Sequence, residues 1–193
     1  MTLVSALKKL ATLAGLGIAT LNIVTGAQAQ QYSERYEFIK AIKEQDAFAV
    51  REKLTNGQYP NVRDGEGVPA IYLAAQQGGI GWVALLLKHD ADINIANRSD
   101  GKTVLMHFAE RGETDAVKFL LGQKADPNIT DGFGETALMK AVRARQFRVA
   151  KALLSAGSDL NISDSSGRTA LDHAINSRDR RMEKLIRDAE SES

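Results

Sequence analysis

The chain has 193 residues, of which 44% are hydrophobic and 25% charged, and its formal net charge is +1. This composition supplies one substantial core and argues against both a disordered chain and a dedicated nucleic-acid binder, since these usually carry a large charge excess. The sequence contains no cysteine, which excludes disulfides, thiolate metal sites and a cysteine nucleophile.

Residues 1–29 have the layout of a cleaved secretory signal peptide. Lys8 and Lys9 are followed by an uncharged, largely apolar run and then by Ala27-Gln28-Ala29, whose two alanines are small residues at the spacing of a signal-peptidase site. The run is shorter than the ~20 residues of a membrane-spanning helix. Cleavage after Ala29 is therefore expected and would leave a periplasmic or secreted protein with 23 basic and 24 acidic residues.

The remainder of the chain repeats one phrase at a nearly constant period. Equivalent positions 33, 34, 33 and 33 residues apart hold small or aromatic residues, namely Ala41, Ala74, Phe108, Ala141 and Ala174. A fixed period of this size indicates stacked supersecondary units. The last four units share a glycine seven positions before this residue, and asparagine closes four successive units (Asn61, Asn94, Asn128 and Asn161).

These segments resemble the ankyrin-repeat family, whose phrase is D-x-x-G-x-T-P-L-H-x-A followed by a second helix and G-A-D-x-N. The matching stretches are "DGEGVPAIYLAA", "DGKTVLMHFA", "DGFGETALMKA" and "DSSGRTALDHA", with "HDADINIAN", "QKADPNITD" and "AGSDLNISD" at the unit ends. The usual proline and histidine are replaced throughout. The resemblance implies an all-α solenoid of about five ~33-residue helix-turn-helix units with hairpin-like loops.

Local chemistry agrees with this fold. The threonine of each of the last three units can accept a backbone N–H at a helix start, and the glycine before it permits the positive φ of a tight turn. Ser33 is the predicted N-cap of the first helix. A single domain is expected over 30–190, with approximate units 33–62, 63–96, 97–129, 130–162 and 163–190. Glu183 and Arg187 replace apolar residues of earlier units, so the stack is expected to end at the fifth unit.

The sequence contains no convincing catalytic or metal-binding motif. His107 and His173 share a register two units apart, roughly 20 Å at ordinary helix spacing, and so cannot bind one metal. Asp172 and His173 are adjacent on a helix and point apart, and no serine elbow accompanies them. The aspartate-rich unit ends lack the glutamate that closes a calcium loop. We therefore expect a non-enzymatic protein without cofactors or metal.

Two arginine-rich stretches, "RARQFR" and "RDRR", form the one concentration of basic charge. Solvated helix-turn surface is the simpler interpretation, and a patch for an acidic partner is the alternative.

Binding in the ankyrin family involves the hairpin tips and the exposed side of the first helix. Transferred by position, the resemblance implies a partner-binding surface with mixed charge, which favours a protein ligand over a polyanion. Phe133 is a large aromatic residue at a tip where the fold requires none, and the third unit is one residue longer. The predicted binding residues are Glu66, Gln76, Gln77, Arg98, Asp100, Lys102, Glu110, Arg111, Phe133, Glu135, Arg143, Arg168 and Asn176.

The predicted function is an exported, monomeric protein-interaction module that binds neither nucleic acid nor, once the signal peptide is removed, a membrane. The chain resembles small periplasmic ankyrin proteins of Gram-negative bacteria, which implies two more specific roles. One is support of a periplasmic oxidative-stress enzyme, and the other is immunity or escort for a secreted enzyme or toxin. A self-assembling structural protein is a third alternative, against which the charges of Glu183 and Arg187 argue.

Overall fold

The structure is a computed structural model that describes residues 26–57 and 59–191; the side chains of 26–29 and 31 are not described. The predicted signal peptide therefore lies almost wholly outside the described residues. The chain forms two compact units, residues 1–32 and 33–193, and the helix packing that follows is that of the second unit.

Every regular element in the described ranges is a helix. The helices are α1 (Gly26–Lys43), α2 (Ala47–Thr55), α3 (Ala70–Leu87), α4 (Val104–Arg111), α5 (Thr114–Gly122), α6 (Ala137–Arg143), α7 (Phe147–Ser155), α8 (Ala170–Asn176) and α9 (Arg180–Ser191). From the third repeat onward they form pairs joined by short turns, with a hairpin-like loop before each pair. The predicted all-α fold class is confirmed.

Helix α3 contains both helices of the second repeat. Gly79 has φ 63° and ψ −157°, which no helix accommodates, so the chain bends there between the two halves. Within the described residues, α3 is the one helix long and apolar enough to cross a membrane by length and composition. Eight of its residues are buried, among them Ile71, Leu73, Val83 and Leu86, which belong to the common core.

The helix starts follow the sequence prediction in three repeats and depart from it in the first. The hydroxyls of Thr103, Thr136 and Thr169 each accept a hydrogen bond from the backbone N–H three residues later, as N-caps do. Ser33 is not an N-cap, because α1 already begins at Gly26. The residues between Gly26 and Ser33 include no proline, and the alanines and glutamines among them favour continuation of a helix.

The core runs along the stack between first and second helices. Val83, Val117, Ala150 and Leu153 of successive second helices are fully buried against first-helix residues such as Phe108 and Leu138. In the fifth repeat Glu183 and Arg187 form an ion pair of 3.0 Å, with the Arg187 side chain half exposed. Met182 and Ile186 supply the buried side of that helix instead.

Asparagine side chains connect the ends of neighbouring repeats. Asn61 Oδ1 accepts the backbone N–H of Asp92 at 2.7 Å, Asn94 that of Asp126 at 2.9 Å, and Asn128 that of Asp159 at 2.8 Å. Each asparagine therefore satisfies a donor of the following repeat, a role that explains its recurrence at the predicted period.

Several turns after second helices need a left-handed residue, and the chain does not always supply glycine there. Gly57 and Gly157 have φ 88° and 83°, whereas the equivalent Asp90 and Lys124 have φ 63° and 65°. A side chain at such a φ costs about 1–2 kcal/mol, which glycine avoids.

We therefore expect Lys124→Gly to raise the free energy of unfolding by about 0.5–1 kcal/mol, since relief of strain exceeds the extra entropy of glycine. Chemical denaturation of wild type and variant measures this difference. The control is Lys118→Gly in the middle of α5, expected to lower stability by about 1 kcal/mol. Destabilisation by both changes would contradict the assignment of strain to Lys124.

Candidate protein-binding surface

A carboxylate at the base of the hairpin closes the loop in three repeats. Oδ1 of Asp64 accepts the backbone N–H groups of Glu66 and Val68, both at 3.0 Å. Asp131 does the same for Phe133 and Glu135, both at 2.9 Å. Asp164 repeats the pattern with Ser166 and Arg168 at 2.8 and 3.0 Å. The aspartate at the base therefore fixes the conformation of the loop, and the side chains at the tip are not needed to hold it.

Successive hairpin tips are joined by backbone hydrogen bonds. The N–H of Gly132 donates to Asp100 O at 2.8 Å, and that of Ser165 donates to Phe133 O at 2.9 Å. Gly101 and Gly134 have φ 74° and 75°, and an added Cβ would lie 2.6 and 3.0 Å from the backbone of the next tip. Glycine is thus required at both places by conformation and by close approach, and the joined tips form one continuous surface.

Most of the predicted binding residues are exposed. Those accessible to solvent are Glu66, Gln76, Gln77, Arg98, Glu110, Arg111, Phe133, Arg143, Arg168 and Asn176, and we call this set the hairpin surface. Asp100 and Lys102 are partly buried. Asp100 is committed to its own loop, where Oδ1 accepts from Asn97 Nδ2 at 3.0 Å and from the Lys102 N–H at 3.1 Å.

The third loop is longer, as the sequence predicts. Its closing backbone bond joins Asn97 N–H to Lys102 O, whereas the equivalent bond of the fourth loop joins Asp131 N–H to Glu135 O. The extra residue is accommodated by Asn97, which replaces the base aspartate and donates to Ser99 Oγ at 2.9 Å.

Charged residues on and beside the hairpin surface are largely paired with oppositely charged neighbours. Lys102 Nζ lies 3.0 Å from Glu110 Oε2, and Arg111 Nε lies 2.6 Å from Glu113 Oε1. In the next repeat the places of Lys102 and Glu110 are taken by Glu135 and Arg143, which form the same pair with the charges exchanged. Arg98 differs, because it makes no ion pair in the part of the chain that the structure describes.

The prediction that Glu135 lies on the binding surface is wrong, because its side chain is only 4% exposed. It is bound to Lys140 and Arg143, and Lys140 Nζ also lies 2.6 Å from Asp131 Oδ2. Asp131 Oδ2 accepts no well-aligned hydrogen bond, so this ion pair is what compensates its burial. Lys140 occupies the position in its repeat that His107 occupies in the previous one. The burial of Lys140 follows from the packing of the fourth repeat against the fifth, which the sequence does not reveal.

The ionisation of this buried cluster is controlled by its pairing. Burial would raise the pKa of Asp131, but Lys140 and the N–H groups of Glu135 and Phe133 outweigh it and lower the pKa. Burial likewise opposes the lowering of the Glu135 pKa by Lys140 and Arg143. For Lys140, burial would lower the pKa, and the two carboxylates raise it. All three groups are therefore charged in the folded protein at neutral pH.

A second buried pair, which the sequence did not predict, joins His173 and Asp164. His173 Nε2 lies 2.9 Å from Asp164 Oδ2, which Arg168 also contacts at 3.0 Å. The N–H of Arg168 is the main cause that holds the Asp164 pKa well below its usual range; burial opposes it, and the Ser166 N–H with the Arg168 and His173 side chains assists. The Asp172 side chain does not join this pair; it accepts a hydrogen bond from the backbone N–H of Thr169 at the start of α8.

The possible ligand atoms of Glu135, Asp164 and His173 lie within 4.8 Å of one another, a spacing suited to a metal ion. The same atoms are already engaged by Lys140, Arg143 and Arg168. A divalent ion would add charge to a site that side-chain cations already neutralise. We therefore assign no metal to this cluster and interpret it as part of the support beneath the hairpins.

Phe133 lies above the buried cluster of Asp131, Glu135 and Lys140. Its side chain is 64% exposed, and the Lys140 ammonium lies 5.9 Å from the ring centroid. Its backbone oxygen accepts from both the N–H and the hydroxyl of Ser165, at 2.9 and 2.6 Å. The ring is thus positioned by the backbone on both sides, while most of its surface remains open to solvent.

Comparison with known proteins explains the repeating arrangement. The family model for ankyrin repeats, built from three copies, matches residues 38–131 and again residues 105–192. The chain belongs to the ankyrin-repeat family. The hairpins, the paired helices and the stacked tips described above are therefore those of an ankyrin-repeat solenoid, and repeats of this family act as general protein-interaction modules.

Curated relatives match the chain over a small part of their own length. A putative ankyrin repeat protein of Acanthamoeba polyphaga mimivirus is 28% identical over 60% of this chain. The Ankyrin repeat and SAM domain-containing protein 6 of Rattus norvegicus is 30% identical over 49%, and a probable serine/threonine-protein kinase of Dictyostelium discoideum is 31% identical over 53%. The matches cover only 14%, 10% and 11% of those proteins, so the likeness concerns the repeats alone.

The buried cluster leads to a pH-dependent prediction for Lys140→Met. Removal of the ammonium leaves Asp131 and Glu135 buried with less compensation, which should lower the free energy of unfolding at pH 7 by on the order of 3 kcal/mol. The carboxyl pKa values, lowered in the wild type, should rise in the variant. Wild-type stability from these groups is present above their unfolded pKa of about 4 and is lost as pH falls through the folded values.

The difference between wild type and Lys140→Met should therefore be largest at pH 7 and shrink as the pH is lowered through about 4 to pH 3, as measured by urea denaturation at each pH. Lys118→Met removes an exposed lysine and should change stability by no more than about 0.5 kcal/mol at either pH. An equal loss for Lys140→Met at both pH values would mean that Lys140 stabilises the protein through packing rather than charge.

Proposed function

We propose that this protein is a non-catalytic binding module that recognises a folded protein through the hairpin surface. The observation that carries the proposal is the series of exposed side chains held on hydrogen-bonded tips. Since the Asp100–Gly132 and Phe133–Ser165 backbone bonds fix the tips relative to one another, little conformational entropy is lost when a partner binds.

The charges of the hairpin surface favour a protein partner over a polyanion. Lys102, Arg111, Arg143 and Arg168 are each paired with an acid of the same chain, so their charge is compensated locally and does not form a positive field. Such a pattern selects a partner of complementary charge and orientation. A nucleic acid would have to displace the acids from these pairs before it could use the cations.

Phe133 and Arg98 are the residues expected to dominate affinity. Aromatic and arginine side chains that become buried at the centre of an interface commonly carry most of the binding energy. Phe133 offers an exposed ring on a fixed backbone, and Arg98 is an exposed cation that the described ion pairs do not include.

The non-catalytic proposal follows from how the reactive side chains are used. His173 and Asp164 are buried, and their facing atoms contact each other and Arg168. The hairpin-base aspartates accept backbone hydrogen bonds in the same way in three repeats, which is a structural and not a reactive arrangement. A nucleophile accessible to substrate beside a free base is the usual requirement for group transfer.

We further propose that the protein is exported and acts in the periplasm or outside the cell as a monomer. The support is the basic start, short apolar run and Ala27-Gln28-Ala29 site of residues 1–29. The partner would then be an exported protein, for which an oxidative-stress enzyme and a secreted enzyme or toxin that needs immunity or escort are the two candidates.

The proposed surface is tested by Phe133→Ala in affinity capture with the tagged protein from the source organism. We expect the change to weaken binding of the captured partner by about 2 kcal/mol, as for a central aromatic residue. The free energy of unfolding should fall by no more than about 1 kcal/mol, since the ring is mostly exposed and contributes one cation–π contact with Lys140.

Phe48→Ala provides the matched control, because Phe48 is 78% exposed on a second helix, away from the hairpins. It should leave capture unchanged. Arg98→Ala should reduce the association rate and its salt dependence. If Phe133→Ala captures the partner as well as the wild type does, and only Phe48→Ala loses it, the interface lies elsewhere.

Export is tested by expressing the full chain in a Gram-negative host and sequencing the N-terminus of the protein from each cell fraction. A mature chain beginning at Gln30 in the periplasmic fraction is expected. Ala29→Asp should block processing because a signal peptidase requires a small residue there, whereas Ser33→Asp should be processed normally. Recovery of the intact chain in the cytosol would reject the proposed localisation.

A further inference from the structure

The two arginine-rich stretches of the sequence meet at one place in the fold. Arg148 lies at the start of α7 and Arg181 at the start of α9, and both line a groove of about 580 Å³ between α5 and α7. The groove is formed by second helices, so it is separate from the hairpin surface.

The floor of the groove is apolar. Leu121, Phe147 and Ala152 are partly buried and pack against the core, yet retain surface that faces the groove. The Arg181 guanidinium lies 3.8 Å from the Phe147 ring centroid and covers one face of the ring. This stacking holds Arg181 over the groove, since arginine on an aromatic ring is stabilised by a cation–π interaction.

The rim of the groove is positive. Lys118, Arg148, Lys151 and Arg181 are all exposed and line the groove, whose lining includes no acidic residue. None of these four side chains takes part in an ion pair among the described residues, unlike most cations of the hairpin surface. Of the two acids beside Thr114 in sequence, Glu113 is paired with Arg111, and Asp115 lies outside the lining.

We propose that this groove binds an acidic amphipathic helix of a protein partner. An apolar floor between two neighbouring helices accepts the side-chain ridge of a third helix, and carboxylates beside that ridge would meet the four cations. The site is additional to the hairpin surface and does not depend on it.

A helix fits this geometry better than a membrane surface does. The apolar residues lie below the rim and are partly buried, so a flat bilayer would meet the cations without reaching the floor. The formal net charge of the whole chain is only +1, which gives no general attraction to anionic lipid. The positive charge is confined to a groove with an apolar base, and this combination matches an amphipathic peptide.

The test uses a fluorescein-labelled peptide of about 15 residues, four helical turns, with leucines every three or four positions and glutamates between them. Fluorescence anisotropy with the full chain should show saturable binding that weakens as salt is raised, because the Debye length of electrostatic screening shortens to roughly 3 Å at 1 M salt. The same peptide with glutamine in place of glutamate should bind at least about tenfold more weakly, because the charge pairs are lost.

Arg148→Glu combined with Arg181→Glu should weaken binding of the acidic peptide at least about tenfold through charge repulsion. Arg51→Glu combined with Lys88→Glu changes net charge equally on exposed sites outside the groove and should alter binding by less than about twofold if attraction is local. If the first double variant does not fold, as judged by circular dichroism, Lys118→Glu with Lys151→Glu serves instead and should show the same loss.

Lack of saturable binding by wild type, or an equal loss in the groove and control variants, would overturn the proposal. Phosphatidylglycerol vesicles provide the alternative ligand. If they bind in a manner that depends on Arg148 and Arg181 while the acidic peptide does not bind, the groove is a lipid site and the helix proposal is rejected. Phe133→Ala should leave peptide binding unchanged, so failure here is distinguishable from failure of the hairpin surface.

Discussion

The apolar side of each second helix can be buried only by its neighbours, and the rest of the structure depends on this constraint. A pair of short helices cannot enclose its own hydrophobic residues, so Val83, Val117 and Leu153 reach full burial through stacking. Stacking brings the unit ends close enough for Asn61, Asn94 and Asn128 to bond to the next repeat. It also aligns the hairpins so that their backbones meet. Both candidate surfaces are therefore formed by several neighbouring repeats of the stack, and no single repeat could form either of them.

Buried charge beneath the fourth and fifth hairpins is the main departure from a purely apolar core. Lys140, Asp131 and Glu135 lose hydration on folding, and their mutual attraction restores the loss only in the paired geometry. An arrangement of this kind contributes more to selecting one packing of neighbouring repeats than to net stability. This cluster also holds the exposed Phe133 in place, because the Lys140 ammonium beneath the ring has one favourable conformation.

The periodic features of the fold could be predicted from the sequence, and the features that depend on side-chain partners could not. Thr103, Thr136 and Thr169 cap helices as expected because an N-cap is a local interaction. Glu135 is predicted on the surface because its position beside the hairpin is an exposed one in the ankyrin family; its burial depends on Lys140 and Arg143, which no pattern of period 33 reveals. The His173–Asp164 pair and the contact of Arg181 with Phe147 join residues nine and 34 positions apart, so sequence neighbours gave no sign of them.

The hairpins separate the residues that hold a loop from those that it displays. Base carboxylates and backbone groups of the adjoining tip make the bonds, whereas the side chains of Glu66, Phe133 and Ser166 occupy equivalent exposed places and differ completely in chemistry. Substitutions at these places can therefore accumulate during evolution with little effect on folding. Related chains could diverge in what they recognise while they keep the same architecture, and the same positions are the natural ones to randomise in a library for new binding specificities.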